Sequence, residues 1–430
     1  MENMLKKVCG LLLGILVVSG SKALEANDQF DLPSASFQKF DADAKAGKRL
    51  TVAYFGASLT WGANSTDHAR TSYRARVSQK LAARYPDAHF TFVDGAIGGT
   101  GSNLGVFRLE RDCLAYNPDL VFLDFSANDD IGLDNPEKRA TYESLVRRIV
   151  TEGQCPLVCS IFPFKWNATP DTAKDMKGRL AHIEIADAYT VPVGDAIVHI
   201  QNLVKKDERL VDKIWNIDGV HPGDFGYQLF ADAAWQGYEY GLQNKMVCKA
   251  PEKMMSADTY MSWSRTRISQ FKNLPQGWKP GLVNRTSAWY DAYMARWLDD
   301  VVIASNVVVT NDEEGKKVTT KVKVEPLMVT FKASSVLLFG EETLKSGKFL
   351  AFVDGEPCTW TKWDKEFTEF DASSKKFGGN RHLNKMLVTG LDPTKIHTLE
   401  IRPLFNDEEP QELRLESICL AGGEAKLLEN

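Results

Sequence analysis

Twelve residues, Thr51 to Gly62 (TVAYFGASLTWG), constrain the chain more than any other stretch. Val, Tyr and Phe between Thr51 and Phe55 favour a buried strand. Gly56 breaks it, and Ser58 follows two residues later. A serine just past a buried strand stands at the carboxyl edge of a sheet, where open α/β sheets hold their ligands. A turn or helix-cap serine would occupy the same place. Distant parts of the chain must decide between the two.

From Arg49 to about Leu242 strands and helices alternate. Strands are expected at Thr51–Phe55, Phe90–Val93, Leu120–Phe125, Leu157–Phe162 and Thr190–Val193. Leu120–Phe125 is almost wholly apolar, as a strand covered on both faces should be. Tyr73, Val77, Leu81 and Tyr85 recur every four residues, so Thr71–Tyr85 predicts a helix that Pro86 stops. Further helices are expected at Asn103–Tyr116, Tyr142–Val150, Asp171–Tyr189 and from Asp224 toward Leu242, with Asp224 as cap. This alternation implies a parallel sheet between two helical layers.

The texture changes after Cys248. Val307–Thr310 and Val318–Val324 flank a hairpin loop at Asn311–Gly315. Val329–Lys332, Phe349–Val353, Met386–Thr389, His397–Arg402 and Leu413–Ser417 read as strands. Leu399–Arg402 and Leu413–Glu416 alternate apolar with polar, so one face is buried and one wet. Strands of this kind predict an all-β sandwich, jelly-roll-like.

The chain has 430 residues, too many for one ordinary domain, and a net charge of −5 without a long Lys/Arg run. Nucleic acid and anionic membranes are therefore not expected partners. Lys6 and Lys7 precede an apolar run, Val8 to Val18, and Ser21-Lys22-Ala23 resembles a cleavage site. Met1 to about Ala23 thus reads as an export signal, too short for a transmembrane span. Cys113, Cys155, Cys159, Cys248, Cys358 and Cys419 follow it. Cys155 and Cys159 lack a matching Cys/His pair at zinc spacing, so no metal site is expected.

A serine hydroxyl needs a base to take its proton and a third group to orient that base. Asp218-Gly219-Val220-His221 supplies both, in a loop before the last helix. The spacing lets the Asp218 carboxylate reach His221 Nδ1 and leaves Nε2 free to face Ser58. After the second strand comes Asp94-Gly95-Ala96-Ile97-Gly98-Gly99, whose glycines let backbone N–H groups approach a substrate. After the third comes Ser126-Ala127-Asn128-Asp129, whose Asn128 amide can donate to an oxyanion. All four segments fall at one edge of one predicted sheet.

In this order the four segments resemble the SGNH (GDSL-like) hydrolases over roughly residues 49–243. Ser58 matches the first-block nucleophile, Gly99 the second-block glycine and Asn128 the third-block asparagine. Asp218 and His221 match the acid and base of the last block. Ala57 departs from the name-giving Asp, Ala127 from the glycine usual before Asn-Asp, and Asp94-Gly95 from the usual Asn. The α/β-hydrolase alternative expects a glycine at position 60, where this chain has Thr60.

The resemblance implies a flavodoxin-like three-layer domain and a two-step esterase with no metal or organic cofactor. The N–H groups of Ser58 and Gly99 and the Asn128 amide would form the oxyanion hole. It also implies an acyl group, often acetyl, on a polysaccharide or oligosaccharide. Trp61, Trp166 and Trp215 are candidates to stack on sugar rings or, alternatively, to pack the core. A lipase or phospholipase of the same fold, and a glycan-binding protein with a weak esterase domain, remain alternatives. The expected division is a leader at 1–23, an extension at 24–48, a catalytic domain at 49–245, a linking segment at 246–300 and a sandwich at 301–430. The aromatic and Arg-rich stretch from Trp263 to Trp297 is the expected contact between halves.

Overall fold

A computed structural model describes residues 32–284 and 300–429, apart from 377, 378, 380 and 407, together with Leu298. The expected leader and Trp297 lie outside the described residues.

The first half runs α1 (Phe37–Lys45), β1 (Arg49–Gly56), α2 (Ser58–Trp61), α3 (Tyr73–Arg84), β2 (His89–Ala96), α4 (Ser102–Asp112), β3 (Leu120–Asp124), α5 (Pro136–Arg148), β4 (Leu157–Ile161), α6 (Lys177–Ala188), β5 (Val193–Asp195), α7 (Ala196–Val204), α8 (Leu210–Ile214) and α9 (Asp224–Gln243). Its five strands form one sheet in the order β2-β1-β3-β4-β5, every pair parallel. Helices α1, α3, α7 and α8 pack around α9, while α4 and α6 flank α5. These are the two outer layers of a doubly wound sheet. The strand order reverses between β1 and β3, and doubly wound sheets bind their ligands at that crevice.

The five expected strands are all present, with β5 shifted toward Asp195 because Pro192 cannot donate to a ladder. Asp224 does not cap α9. The cap is Gly223, and the Asp224 carboxylate instead accepts from the backbone and hydroxyl of Thr66.

The second half is built of β6 (Trp263–Arg267), β7 (Trp278–Gly281), β8 (Val301–Ser305), β9 (Val307–Asn311), β10 (Lys317–Lys321), β11 (Leu327–Lys332), β12 (Ser335–Glu342), β13 (Lys348–Val353), β14 (Glu356–Pro357), β15 (Trp360–Lys362), β16 (Lys365–Phe367), β17 (Glu369–Asp371), β18 (Arg381–Val388), β19 (His397–Leu404), β20 (Glu412–Ala421) and β21 (Lys426–Glu429). One antiparallel sheet runs β14-β13-β19-β11-β21, with β17 on β13. The other runs β18-β12-β20-β8-β7, with β6 on β20. Apolar residues from both sheets, such as Phe331, Leu399, Leu338 and Ile418, share one buried cluster, which makes the pair a sandwich.

The segment between the halves contributes β6 and β7 to that second sheet. The core of the first half also continues into the second: Tyr260, Leu337, Phe339, Cys419 and Ala421 belong to the same buried cluster as β1 and β3. The Trp263 ring lies 4.7 Å from the buried Arg148 guanidinium of α5. Among the described residues no helix is long and apolar enough to cross a membrane. Cys113, Cys155, Cys159, Cys248, Cys358 and Cys419 are buried and unpaired.

Candidate active site

Ser58 is the first residue of the one-turn helix α2, directly past β1. The chain turns sharply because Gly56 lets two groups close in. A Cβ there would lie 2.1 Å from Thr60 Oγ1 and 2.4 Å from the Asp124 carbonyl oxygen. Gly62 ends the turn in the left-handed region, φ 98°. Ser58 is buried, with 6% of its surface exposed.

Below this turn lies Asp124, the last residue of β3 and fully buried. Its Oδ2 accepts from Thr60 Oγ1 at 3.2 Å and its Oδ1 from Ser126 Oγ at 3.1 Å. One carboxyl therefore braces both the nucleophile turn and the turn that carries Asn128. Burial pushes its pKa up to about 7, against those hydrogen bonds.

Gly99 follows β2 with φ +70°, and a Cβ at its position would meet nothing within 4 Å. Open space therefore lies in front of its backbone. Asn128 is half-buried and held by its own main chain: its carbonyl accepts from Lys138 Nζ at 2.8 Å. The next residue, Asp129, accepts from the Ser102 N–H at 2.9 Å. This clamps the third turn to the N-terminus of α4, directly after the Gly99 loop.

The Asp218–His221 loop precedes α9. Asp218 Oδ1 accepts the backbone N–H groups of Val220 and His221, each at 2.7 Å, which forms a tight turn. His221 Nδ1 lies 3.3 Å from Asp218 Oδ2. A carboxylate only accepts, so Nδ1 carries the proton of this contact, and among the described residues Nε2 is unbonded. Partial burial would raise the Asp218 pKa. The hydrogen bonds from the His221 ring, the His221 N–H and the Val220 N–H outweigh it and hold the carboxyl well below the usual range. Among the described residues Ser58 and His221 share no hydrogen bond; unliganded sites often tighten only around substrate.

Sequence reasoning missed Asn64, which sits in the loop after α2 with φ 69°. Its side-chain amide donates to Asp218 Oδ2 at 2.7 Å and approaches the His221 carbonyl at 3.5 Å. The Thr66–Asp224 bonds tie the same loop to the start of α9. The nucleophile segment and the acid–base segment are thus stitched together by residues that carry no periodic signal. A left-handed Asn six residues past Ser58 was the one local hint.

The three tryptophans separate. Trp61 is 3% exposed and stacked on His68, with ring centroids 4.2 Å apart. Trp215 is also 3% exposed. Burial leaves neither ring a face for a sugar, which corrects that expectation. Trp166 is 62% exposed, and its ring lies beside Gly219 of the acid–base loop.

Residues 54–229 match the model of the GDSL-like lipase/acylhydrolase family. The chain carries a GDSL-like hydrolase domain. No curated protein matches the chain in sequence. In fold it is similar to a two-domain esterase (CEX) active on acetylated mannans, at 22% identity and TM-score 0.69, covering 90% of this chain and 95% of that one. It is similar also to that esterase co-crystallised with mannopentaose, at 22% identity, TM-score 0.67 and the same coverage. The likeness extends past the GDSL-like domain, so the sandwich belongs to the shared fold.

Proposed function

We propose that the protein is an exported serine esterase that removes acetyl groups from a polysaccharide or oligosaccharide. One observation carries this reading. Ser58, Gly99, Asn128 and the Asp218–His221 pair all follow strands or precede α9 at the carboxyl edge of a single parallel sheet. The acetylated mannan named for the structurally similar esterase supports a carbohydrate as the acyl carrier. The exposed Trp166 ring beside the acid–base loop offers a surface on which a sugar can stack.

In this reading His221 Nε2 takes the Ser58 proton as Oγ bonds to the acyl carbon. The oxyanion is held by the N–H groups of Ser58 and Gly99 and the Asn128 amide. Collapse breaks the ester bond, and His221 returns the proton to the departing sugar hydroxyl. Water, deprotonated by His221, then releases acetate and restores Ser58. Asp218 keeps the imidazole in the tautomer this needs, and Asn64 keeps Asp218 in place. The apolar run Val8–Val18 behind Lys6 and Lys7 supports export.

The test is acetate release from a panel of acetylated polysaccharides, run beside acyl esters of increasing chain length. Acetate release, with rates falling as the acyl chain lengthens, is the expected result. Rates rising with chain length would make the enzyme a lipase. Binding to glycan without hydrolysis of any ester would make it a binding protein.

A further inference from the structure

A cation is the least expected group at this sheet edge. Arg108 projects from α4, and its side chain is fully buried. Guanidinium groups are placed in water unless something specific holds them. Here Nη2 donates to the Gly56 carbonyl at 2.7 Å and Nη1 to the Gly95 carbonyl at 2.6 Å. Nη1 also reaches Asp112 Oδ2 at 3.3 Å. The guanidinium carbon lies 4.3 Å from the Phe55 ring centroid and 5.5 Å from that of Phe125.

These contacts fall on the stems of three different turns. Gly56 is two residues before Ser58, Gly95 four before Gly99, and Phe125 three before Asn128. The Gly56 carbonyl also accepts from Ile97 N at 3.1 Å, so the first two turns are already neighbours. We propose that Arg108 is a positioning residue for ester hydrolysis, its planar fork tying the first two turns to each other and its face packing against Phe125 at the stem of the third. The inference deepens the esterase reading and rests on it.

A fork with a fixed angle between its N–H groups fixes the spacing of two carbonyls, which a point-charge ammonium does not. Burial lowers the Arg108 pKa to about 10, with Asp112 opposing, so the group stays charged at neutral pH. Asp112 pairs with both Arg108 and Arg111. From the sandwich, the charge of Arg265 also opposes that of Arg108, and Arg265 is paired with Glu416 at 2.9 Å. The charge is therefore compensated on both sides, and the fork is free to act on geometry.

Arg148 supplies the control. It is equally buried, donates to the Val106 carbonyl at 2.7 Å and stacks near Trp263, but bonds to none of the three turns. The experiment compares Arg108→Lys, Arg108→Gln and Arg148→Lys by melting temperature, by kcat and KM on a small acetyl ester, and by the rate of labelling with a fluorophosphonate. Arg108→Lys is expected to fold and to lose about 10- to 100-fold in kcat and labelling rate, with KM within about twofold. Arg108→Gln should lose more. Arg148→Lys should lose stability but keep kcat within about twofold.

A folded Arg108→Lys with kcat near wild type, or an equal kcat loss in Arg148→Lys, overturns the proposal. So does failure of both Arg108 variants to fold, which would assign the residue to the fold alone. Wild-type enzyme inert toward both ester and phosphonate would instead sink the esterase reading, and this proposal with it.

Discussion

The Asp218–His221 pair of the first half and the Asp354–His397 pair of the second are built differently. In the sandwich, His397 Nδ1 lies 2.6 Å from Asp354 Oδ2, and Nε2 lies 2.8 Å from the Asp392 carbonyl. Both partners only accept, so both ring nitrogens carry protons and none is left to take another. In the parallel-sheet half the Asp218–His221 contact is longer, 3.3 Å, and Nε2 is unbonded among the described residues. In the proposed mechanism the looser pair serves the chemistry, while the tighter one has both ring nitrogens engaged. What separates them is the unbonded Nε2 of His221, not the strength of the pair.

The largest effect expected concerns whether the halves are separable at all. Cutting the chain after Gln243 removes Tyr260, Leu337, Phe339, Cys419 and Ala421 from the core that underlies the parallel sheet. The fragment should aggregate or lack a cooperative melt. A soluble, cooperatively melting fragment that hydrolyses small esters would show the halves to be independent.

Next comes the comparison itself. His221→Gln should lower kcat by at least ~10³-fold while the protein stays folded. His397→Gln should leave kcat within about twofold and change only stability. Burial would lower the His397 pKa, but Asp354 and the Asp392 carbonyl raise it. Its contribution is therefore complete below the ordinary imidazole value of about 6.5 and is lost as pH rises through the raised value. Wild-type melting temperature should fall by more between about pH 6 and pH 8 than that of His397→Gln. Equal slopes in the two proteins would contradict the doubly protonated ring.

Asn128→Ala should reduce kcat by about 10²- to 10³-fold with little change in KM, since the amide acts on developing charge. A raised KM with kcat intact would make Asn128 a ground-state contact. Asn64→Ala should cost less, about 10-fold in kcat. Asp218 keeps three hydrogen bonds without it, and those hold the turn. A loss as deep as that of His221→Gln would mean that Asn64 touches substrate.

The sequence was legible where one residue decides its own surroundings. Apolar runs set β1, β3 and β4, and glycines and the Asp218-x-x-His221 spacing marked the turns between elements. Legibility failed where the deciding contact comes from far along the chain. Arg108 stands on an amphipathic helix where a charged residue reads as solvent-facing, and only the fold brings Gly56 and Gly95 to it. Asn64 and Asp124 act likewise across 154 and 64 residues. Asp224 looked like a cap because it opens a helix, yet its partner is Thr66. Trp61 and Trp215 stand at the right edge in sequence but point into packing that no local pattern announces.

The assignment of Ser58 as nucleophile meets its most direct test in a covalent map of the reacting atom. Wild-type protein is treated with a fluorophosphonate, digested, and the adduct located by mass spectrometry. The expected result is one adduct, on the peptide that contains Ser58, absent from Ser58→Ala and strongly slowed in His221→Gln but not in His397→Gln. An adduct on another residue, or undiminished ester hydrolysis by folded Ser58→Ala, would contradict it.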